Sequence, residues 1–199
     1  MGKQIVERTW KLESGDFKEW VSLSVQQSYI MLPKKEFMSI NAAEEKVIIV
    51  KNQLEQMRRD NAPGSEIRTV ECDWFGAEEN KQLAEMAKNG RLKQVYQSVL
   101  PAEINIISID NKQFVFLPGE MFVEYSLIIK ENSPGNTFIT SLSNGVLAGY
   151  IVTEAAEQEG GYEASNSIFP ASAGQVLMNQ VIDMLEKQNQ KGKSKKEGV

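Results

Sequence analysis

Ile104-Asn-Ile-Ile-Ser-Ile-Asp-Asn-Lys-Gln-Phe-Val-Phe-Leu-Pro-Gly-Glu120 holds two strand signals and the turn between them. Residues 104–109 and 114–117 are dominated by β-branched and aromatic side chains, and Asp110-Asn-Lys112 separates them as a hairpin turn. The second strand runs into Pro118-Gly119, a turn pair, and the carboxylate of Glu120 follows at once. Such a turn can set Glu120 at the edge of a sheet, within reach of a metal or a substrate. On the local pattern alone, a solvent-exposed turn glutamate is the commoner outcome.

Upstream of this hairpin, residues 4–11 and 20–33 read as extended. Val21, Leu23 and Val25 alternate with polar residues before the run stops at Pro33. A helix is expected next, opened by Asn41 with Glu44 three residues later. Val47, Val50, Leu54 and Met57 share one of its faces, and Arg58 and Arg59 suit its C-terminal end. Asp60-Asn-Ala-Pro-Gly-Ser65 reads as a loop, and a second helix is expected over about 77–88, ended by Asn89-Gly90. Downstream, residues 120–131 suit either a strand or a helix, and strand signals return at 137–142 and 146–152. Thr153 can cap a short helix to about 159. Ser172 with Gln175 opens a last helix carrying Leu177, Val181, Met184 and Leu185. Strands interspersed with helices predict an α/β or α+β fold, a layered mixed sheet with flanking helices.

The composition narrows the function classes. In 199 residues, 41% hydrophobic and 25% charged, there is enough for one ordinary core. The formal net charge of −5 gives no electrostatic reason to expect nucleic acid. The basic run from Lys191 to Lys196 reads as a disordered tail over 189–199, leaving 1–188 as the folded unit. Cys72 is the only cysteine, so no internal disulfide forms and the compartment stays open. The N-terminus lacks the apolar core of an export signal, and Val6 sits where a myristoylation signal wants Ser or Thr. No run approaches the roughly 20 apolar residues of a transmembrane segment, so a soluble chain is expected. Histidine is absent, which excludes Ser-His-Asp and Cys-His catalysis within this chain alone.

Two more segments accompany Pro118-Gly119-Glu120. In Ser143-Asn-Gly-Val-Leu-Ala-Gly-Tyr-Ile-Val-Thr153, Asn144-Gly145 signals a turn and Gly149 allows a close backbone approach just before Tyr150. In Gly160-Gly-Tyr-Glu-Ala-Ser165, two glycines precede Tyr162 and Glu163. Taken singly, these read as a loop with a core tyrosine and a flexible surface loop. In this order, and over about residues 102–188, they resemble the end of the catalytic domain of the neutral/alkaline non-lysosomal ceramidase family. That family carries Pro-Gly-Glu after a strand, an Asn-centred loop leading to Tyr-x-x-Thr, and Tyr-Glu before a final helix. The step from Tyr150 to Tyr162 is like the family's own. The interval from Glu120 to Tyr150 is shorter than usual, and the loop from Asn144 to Tyr150 is one residue longer.

The resemblance implies that Glu120 and Tyr150 bind a catalytic zinc. It implies that Tyr162 stands beside the scissile amide of an N-acyl sphingoid base and stabilises the developing oxyanion. In the family, two histidines from an N-terminal region complete the zinc site, and this chain has none. The chain is therefore expected to be the C-terminal part of an incomplete catalytic domain, inactive alone. Its lipid amide substrate and zinc would require a missing N-terminal half-domain or a second chain, and a homo-oligomer is expected from the surface left uncovered. No family-like β-sandwich follows the last helix. The competing expectation is a non-catalytic binding or structural protein on the same fold. A stand-alone enzyme of other chemistry has no nucleophile–base pair or phosphate loop to support it.

Overall fold

In the computed structural model, residues 19–133 and 135–194 are described, with side chains up to 188. In chain order the elements are β1 (Leu23–Ile30), α1 (Ile40–Arg59), α2 (Gly64–Lys88), α3 (Arg91–Val99), β2 (Ala102–Ile109), β3 (Lys112–Phe116), β4 (Glu120–Met121), α4 (Val123–Glu131), β5 (Asn136–Thr140), β6 (Tyr150–Ile151), α5 (Glu154–Glu159), α6 (Gly161–Ser165) and α7 (Ala171–Ser194). The expected strand at 4–11 lies outside the described residues, as do 195–199 of the expected tail; α7 itself runs on to Ser194.

The hairpin forms where its residues call for it. Ile109 pairs with Lys112 around Asp110, whose positive φ of 54° an Asp tolerates better than most residues. The main sheet has the order β1-β2-β3-β5, with the first two pairings antiparallel and β3·β5 parallel. Parallel pairing requires a crossover, and the chain makes it through β4 and α4. The fold is thus a mixed sheet flanked by helices, as the alternation of signals predicts.

Several boundaries differ from expectation for identifiable reasons. The N-cap of α1 is Ser39, whose Oγ accepts from the Ala42 amide at 3.2 Å, rather than Asn41. α2 starts at Gly64, directly after Pro63, rather than near 77. Its first half, with Thr69, Val70, Cys72, Trp74, Phe75 and Gly76, is built from weak helix formers. Tertiary packing holds it: a Cβ added at Gly76 would sit 3.1 Å from Ser165 Cβ and 3.2 Å from Tyr162 Cα. α3 was not anticipated. The ambiguous 120–131 segment divides into a two-residue strand and the helix α4. The 146–152 signal contracts to Tyr150–Ile151, and the 160–165 loop becomes the short helix α6.

Alternation along the strands decides which face is covered. Ile104, Ile106 and Val115 are fully buried and join Leu177, Val181 and Leu185 of α7 in one core. On β1 the polarity is reversed. Gln26 donates to Gln188 Oε1 at 2.6 Å and to the Met184 carbonyl at 3.3 Å, and Gln180 donates to Ser28 Oγ at 3.1 Å. Three apolar residues of β1, Leu23, Val25 and Tyr29, lie on the other face and are more than half exposed, while Ile30 at its end packs against the core.

Tyr125 of α4 ties three segments together. Its ring lies against Gly174 of α7, where an added Cβ would come within 2.2 Å of the ring. Its buried hydroxyl lies 2.9 Å from the Val152 carbonyl and 3.1 Å from the Ala171 carbonyl, able to donate to either. Burial, reinforced by Glu157, Glu124 and Glu154, pushes its phenol up to about 12. A folded pKa raised above the unfolded value near 10 stabilises the fold fully below that pH and progressively less between 10 and about 12. Stability measured by urea unfolding should therefore decline across this alkaline window, and Tyr125→Phe should flatten the decline while lowering stability at neutral pH. An unchanged alkaline slope in Tyr125→Phe would refute the assignment.

A second test concerns Gly149, at φ +77° with an added Cβ only 2.0 Å from the Asn166 carbonyl oxygen. Gly149→Ala should cost more than about 2 kcal/mol, through backbone strain plus a backbone clash. Gly145→Ala, at φ +113° in open space, should cost only about 1 kcal/mol. Equal denaturation midpoints for the two variants would contradict this packing.

Candidate functional site

Glu120, Tyr150 and Tyr162, far apart in sequence, come together. β4 and β6 form a separate two-stranded parallel ribbon in which Glu120 is the register partner of Tyr150 and Met121 of Ile151. Register partners on neighbouring strands lie about 4.8 Å apart and project to the same side of the ribbon. Tyr162 arrives from α6, and its ring meets that of Tyr150 edge-on, with centroids 6.2 Å apart and planes at 70°.

The loop between β5 and β6 wraps the Pro-Gly turn and holds this arrangement. Ser143 N donates to Leu117 O at 2.8 Å, Leu147 N to Pro118 O at 2.8 Å, and Leu142 N to Gly119 O at 3.3 Å. Asn144, at φ 62°, sends its side-chain amide back to Phe116 O at 3.3 Å. A Cβ on Gly119 would meet Ile151 Cγ1 at 2.9 Å, so that glycine lets β6 close onto the turn. On the far side, Gly149 bridges to Ser167, and the Ser167 hydroxyl lies 2.6 Å from Tyr150 O and 2.7 Å from Phe169 O, within donating distance of both.

The electrostatics keep Tyr150 protonated. Partial burial raises its phenol pKa, the Glu120 carboxylate raises it further, and Tyr162 and Glu163 add to the effect. The Tyr162 hydroxyl accepts from Asn166 Nδ2 at 3.2 Å, which leaves its own proton to be donated elsewhere. The site thus offers one exposed carboxylate and two phenols, the second held by an amide. Three apolar side chains stand exposed close by in the chain: Val123 just after Glu120, and Leu142 and Val146 in the loop that wraps Pro118-Gly119.

A zinc ion takes three or four protein ligands. Glu120 and Tyr150 supply two oxygens, and among the described residues no cluster of three His, Cys, Asp or Glu can hold a metal. The donor set among the described residues therefore does not by itself fit zinc. Sequence reasoning missed Asn166 and Ser167, which orient Tyr162 and Tyr150. Only the i,i+4 spacing of Tyr162 and Asn166 on a short helix would have hinted at the first.

A cleft lies elsewhere. About 850 Å³ in volume, it lies between residues 34–41 and the helix residues Ala84, Lys88, Leu92 and Tyr96. None of the three selected residues lines it. It adjoins their scaffold, because Lys35 Nζ donates to Ala164 O at 2.6 Å, and Lys35 N and the Tyr96 hydroxyl both donate to Ile168 O. Burial holds the Lys35 ammonium below its ordinary pKa despite Glu157. No helix among the described residues is long and apolar enough to cross a membrane.

The chain matches no protein-family model, no curated protein and no solved structure.

Proposed function

We propose that this chain is the C-terminal part of a zinc amidohydrolase of the neutral ceramidase type, hydrolysing the amide of an N-acyl sphingoid base or a related lipid amide once a histidine-bearing partner segment completes its site. The observation that carries the reading is the pairing of Glu120 with Tyr150 in one ribbon, with the Tyr162 ring against Tyr150. A sheet-edge carboxylate and a phenol projecting to one side are a plausible half of a ligand set, although they fall short of a complete one.

In this reading Glu120 and Tyr150 hold one side of a metal that supplies the activated water. The raised pKa of Tyr150 reflects its partial burial first and the neighbouring Glu120 carboxylate second. A divalent cation placed between the two would reverse that influence and favour the phenolate. Tyr162 supplies a hydrogen bond to the carbonyl oxygen of the amide as negative charge develops there. Asn166 donates to the Tyr162 oxygen and so orients its proton outward. Val123, Leu142 and Val146 give the site apolar surroundings suited to acyl chains. The alternative reading is a non-catalytic binding or structural protein that keeps the ribbon without the metal.

The isolated chain is expected to retain no stoichiometric zinc after dialysis and to leave a fluorescent ceramide intact. One tightly held equivalent, with turnover, would refute the incompleteness. Co-expression with a histidine-bearing segment of the same family should restore both zinc and turnover. In that complex, Glu120→Gln should lose the metal. Tyr162→Phe should keep the metal and lower kcat about 10²- to 10³-fold, the usual cost of one oxyanion donor. Full metal and turnover in Glu120→Gln would sink the reading. A stable complex without metal or turnover would favour the non-catalytic alternative.

A further inference from the structure

The cleft between residues 34–41 and the helices α2 and α3 gathers cations from separate parts of the chain. Lys34 and Lys35 precede α1, Lys88 ends α2, and Lys93 lies in the first turn of α3. Among the described residues, Glu36 is the one carboxylate in the lining, and none of the four lysines takes part in an ion pair. Tyr96 marks where two of them meet. The Lys34 ammonium lies over its ring, 5.0 Å from the centroid, and Lys93 is three residues before it on α3, hence on the same side of that helix. The other walls are apolar, with Phe37, Met38 and Ile40 across from Ala84 and Leu92. We propose that this cleft binds a phosphate monoester with an apolar body, its anionic head among the lysines and its body along the apolar walls.

Size and lining fit a small molecule. The volume of about 850 Å³ lies within the range of roughly 300 to 1,000 Å³ that such sites occupy, and mostly apolar walls with a few convergent polar groups are their usual construction. The Tyr96 hydroxyl is already committed to the Ile168 carbonyl, so this buried residue offers the cleft its ring.

Charge selects the head. Like charges gathered around one cleft repel each other, a cost that a bound anion removes. A phosphate monoester carries a charge of about −1.5 to −2 at neutral pH, which suits several lysines better than a single negative charge does. The lining has no arginine, and lysines act as point charges suited to a phosphate, whereas a planar carboxylate favours the arginine fork. Lys35 donates one of its three N–H groups to the Ala164 carbonyl at 2.6 Å, which leaves two for a ligand. Burial holds its ammonium below the ordinary pKa; Glu157 opposes this and Lys46 adds to it, and a phosphate beside Lys35 would favour its charged form. The start of α1 adds a smaller contribution of the same sign. No acidic residue stands in its first turn, the Ser39 hydroxyl takes the Ala42 amide, and the amides of Ile40 and Asn41, both in the lining, have no partner within the helix.

Calorimetric titration of the full chain with dodecyl phosphate, kept below its micelle concentration, tests the proposal. Binding of a single equivalent is expected, with inorganic phosphate and dodecanoate each weaker by about tenfold or more. Lys88→Glu and Lys93→Glu, both at exposed positions, should each weaken dodecyl phosphate by about tenfold or more while circular dichroism stays that of the parent. Met38→Ser should weaken dodecyl phosphate and leave inorganic phosphate unchanged, which separates the body from the head. No binding of dodecyl phosphate up to about 1 mM would overturn the proposal. Equal binding of dodecyltrimethylammonium would reduce it to a surfactant on an apolar surface, and indifference to both charge reversals would place the ligand elsewhere; either result overturns it. Dodecanoate bound as tightly as dodecyl phosphate would overturn the assignment of the head. Binding to phosphatidylserine vesicles without binding of the free ester would mark a membrane-facing patch and overturn the small-molecule site. None of these outcomes bears on zinc or on amide hydrolysis, because Glu120, Tyr150 and Tyr162 lie outside the cleft.

Discussion

The contact on which the site depends is the backbone approach of Gly149 to Asn166 and Ser167. A glycine at positive φ lets the chain before β6 come so close to the carbonyl of Asn166 that no side chain fits between them. Ser167, one residue on, spans to the Tyr150 carbonyl and fixes the strand from behind. β6 is only two residues long, and its two pairs with β4 would not persist alone. Pinned on one side by Ser167 and on the other by the wrapped Pro-Gly turn, it presents Tyr150 beside Glu120. The segment that does the pinning also carries Asn166, so one loop sets the positions of both phenols.

Around this point the fold uses shape more than charge. Tyr125 occupies space that Gly174 leaves open, and its single hydroxyl serves the end of β6 and the start of α7 together. Gly76 does the same for α2 against α6. The ion pairs among the described residues are on the surface: Arg58–Glu71, Arg68–Glu71, Lys81–Glu44 and Lys187–Asp183 join partly or fully exposed side chains, and such pairs contribute little. In the cluster of Glu120, Tyr150, Tyr162 and Glu163, burial first and the neighbouring Glu120 carboxylate second disfavour the Tyr150 phenol as an anion.

The sheet and its helices were legible because they follow simple periodicities. The β2–β3 hairpin is rich in β-branched and aromatic residues on either side of a turn, the Thr153 cap forms as its hydroxyl suggests, and the last helix carries its apolar stripe into the core. The grouping of Glu120 with Tyr150 and Tyr162 followed from the order of three short motifs, not from any local propensity. What escaped was decided by tertiary contact. The first half of α2 has a poor helical composition and is held by its neighbours, and α6 looks like a loop because Gly160 caps it and Gly161 begins it. The 146–152 segment reads as a strand by composition, but its pairing partner β4 is only two residues long, so the ladder stops there. Asn166 and Ser167 are ordinary residues whose roles exist only once α6 has brought them under β6.

The reversed polarity of β1 has a further consequence for how the molecule comes apart. A buried leucine or valine contributes about 1.5 to 3 kcal/mol, whereas a hydrogen bond to a side chain contributes about 1 kcal/mol net of the water it replaces. β1 faces α7 with Ser24, Gln26 and Ser28, so hydrogen bonds rather than apolar burial join it to the helix. Among the described residues it is also laddered on one side only, to β2. Apart from Ile30, which packs against the core, the strand is accordingly held to the helix layer by polar contacts. It can peel away in a partial opening that leaves β2, β3, β5 and α7 closed around their own core. Water can take up Ser24, Gln26 and Ser28 in place of α7, so on that side the opened strand loses mainly the packing of Ile30.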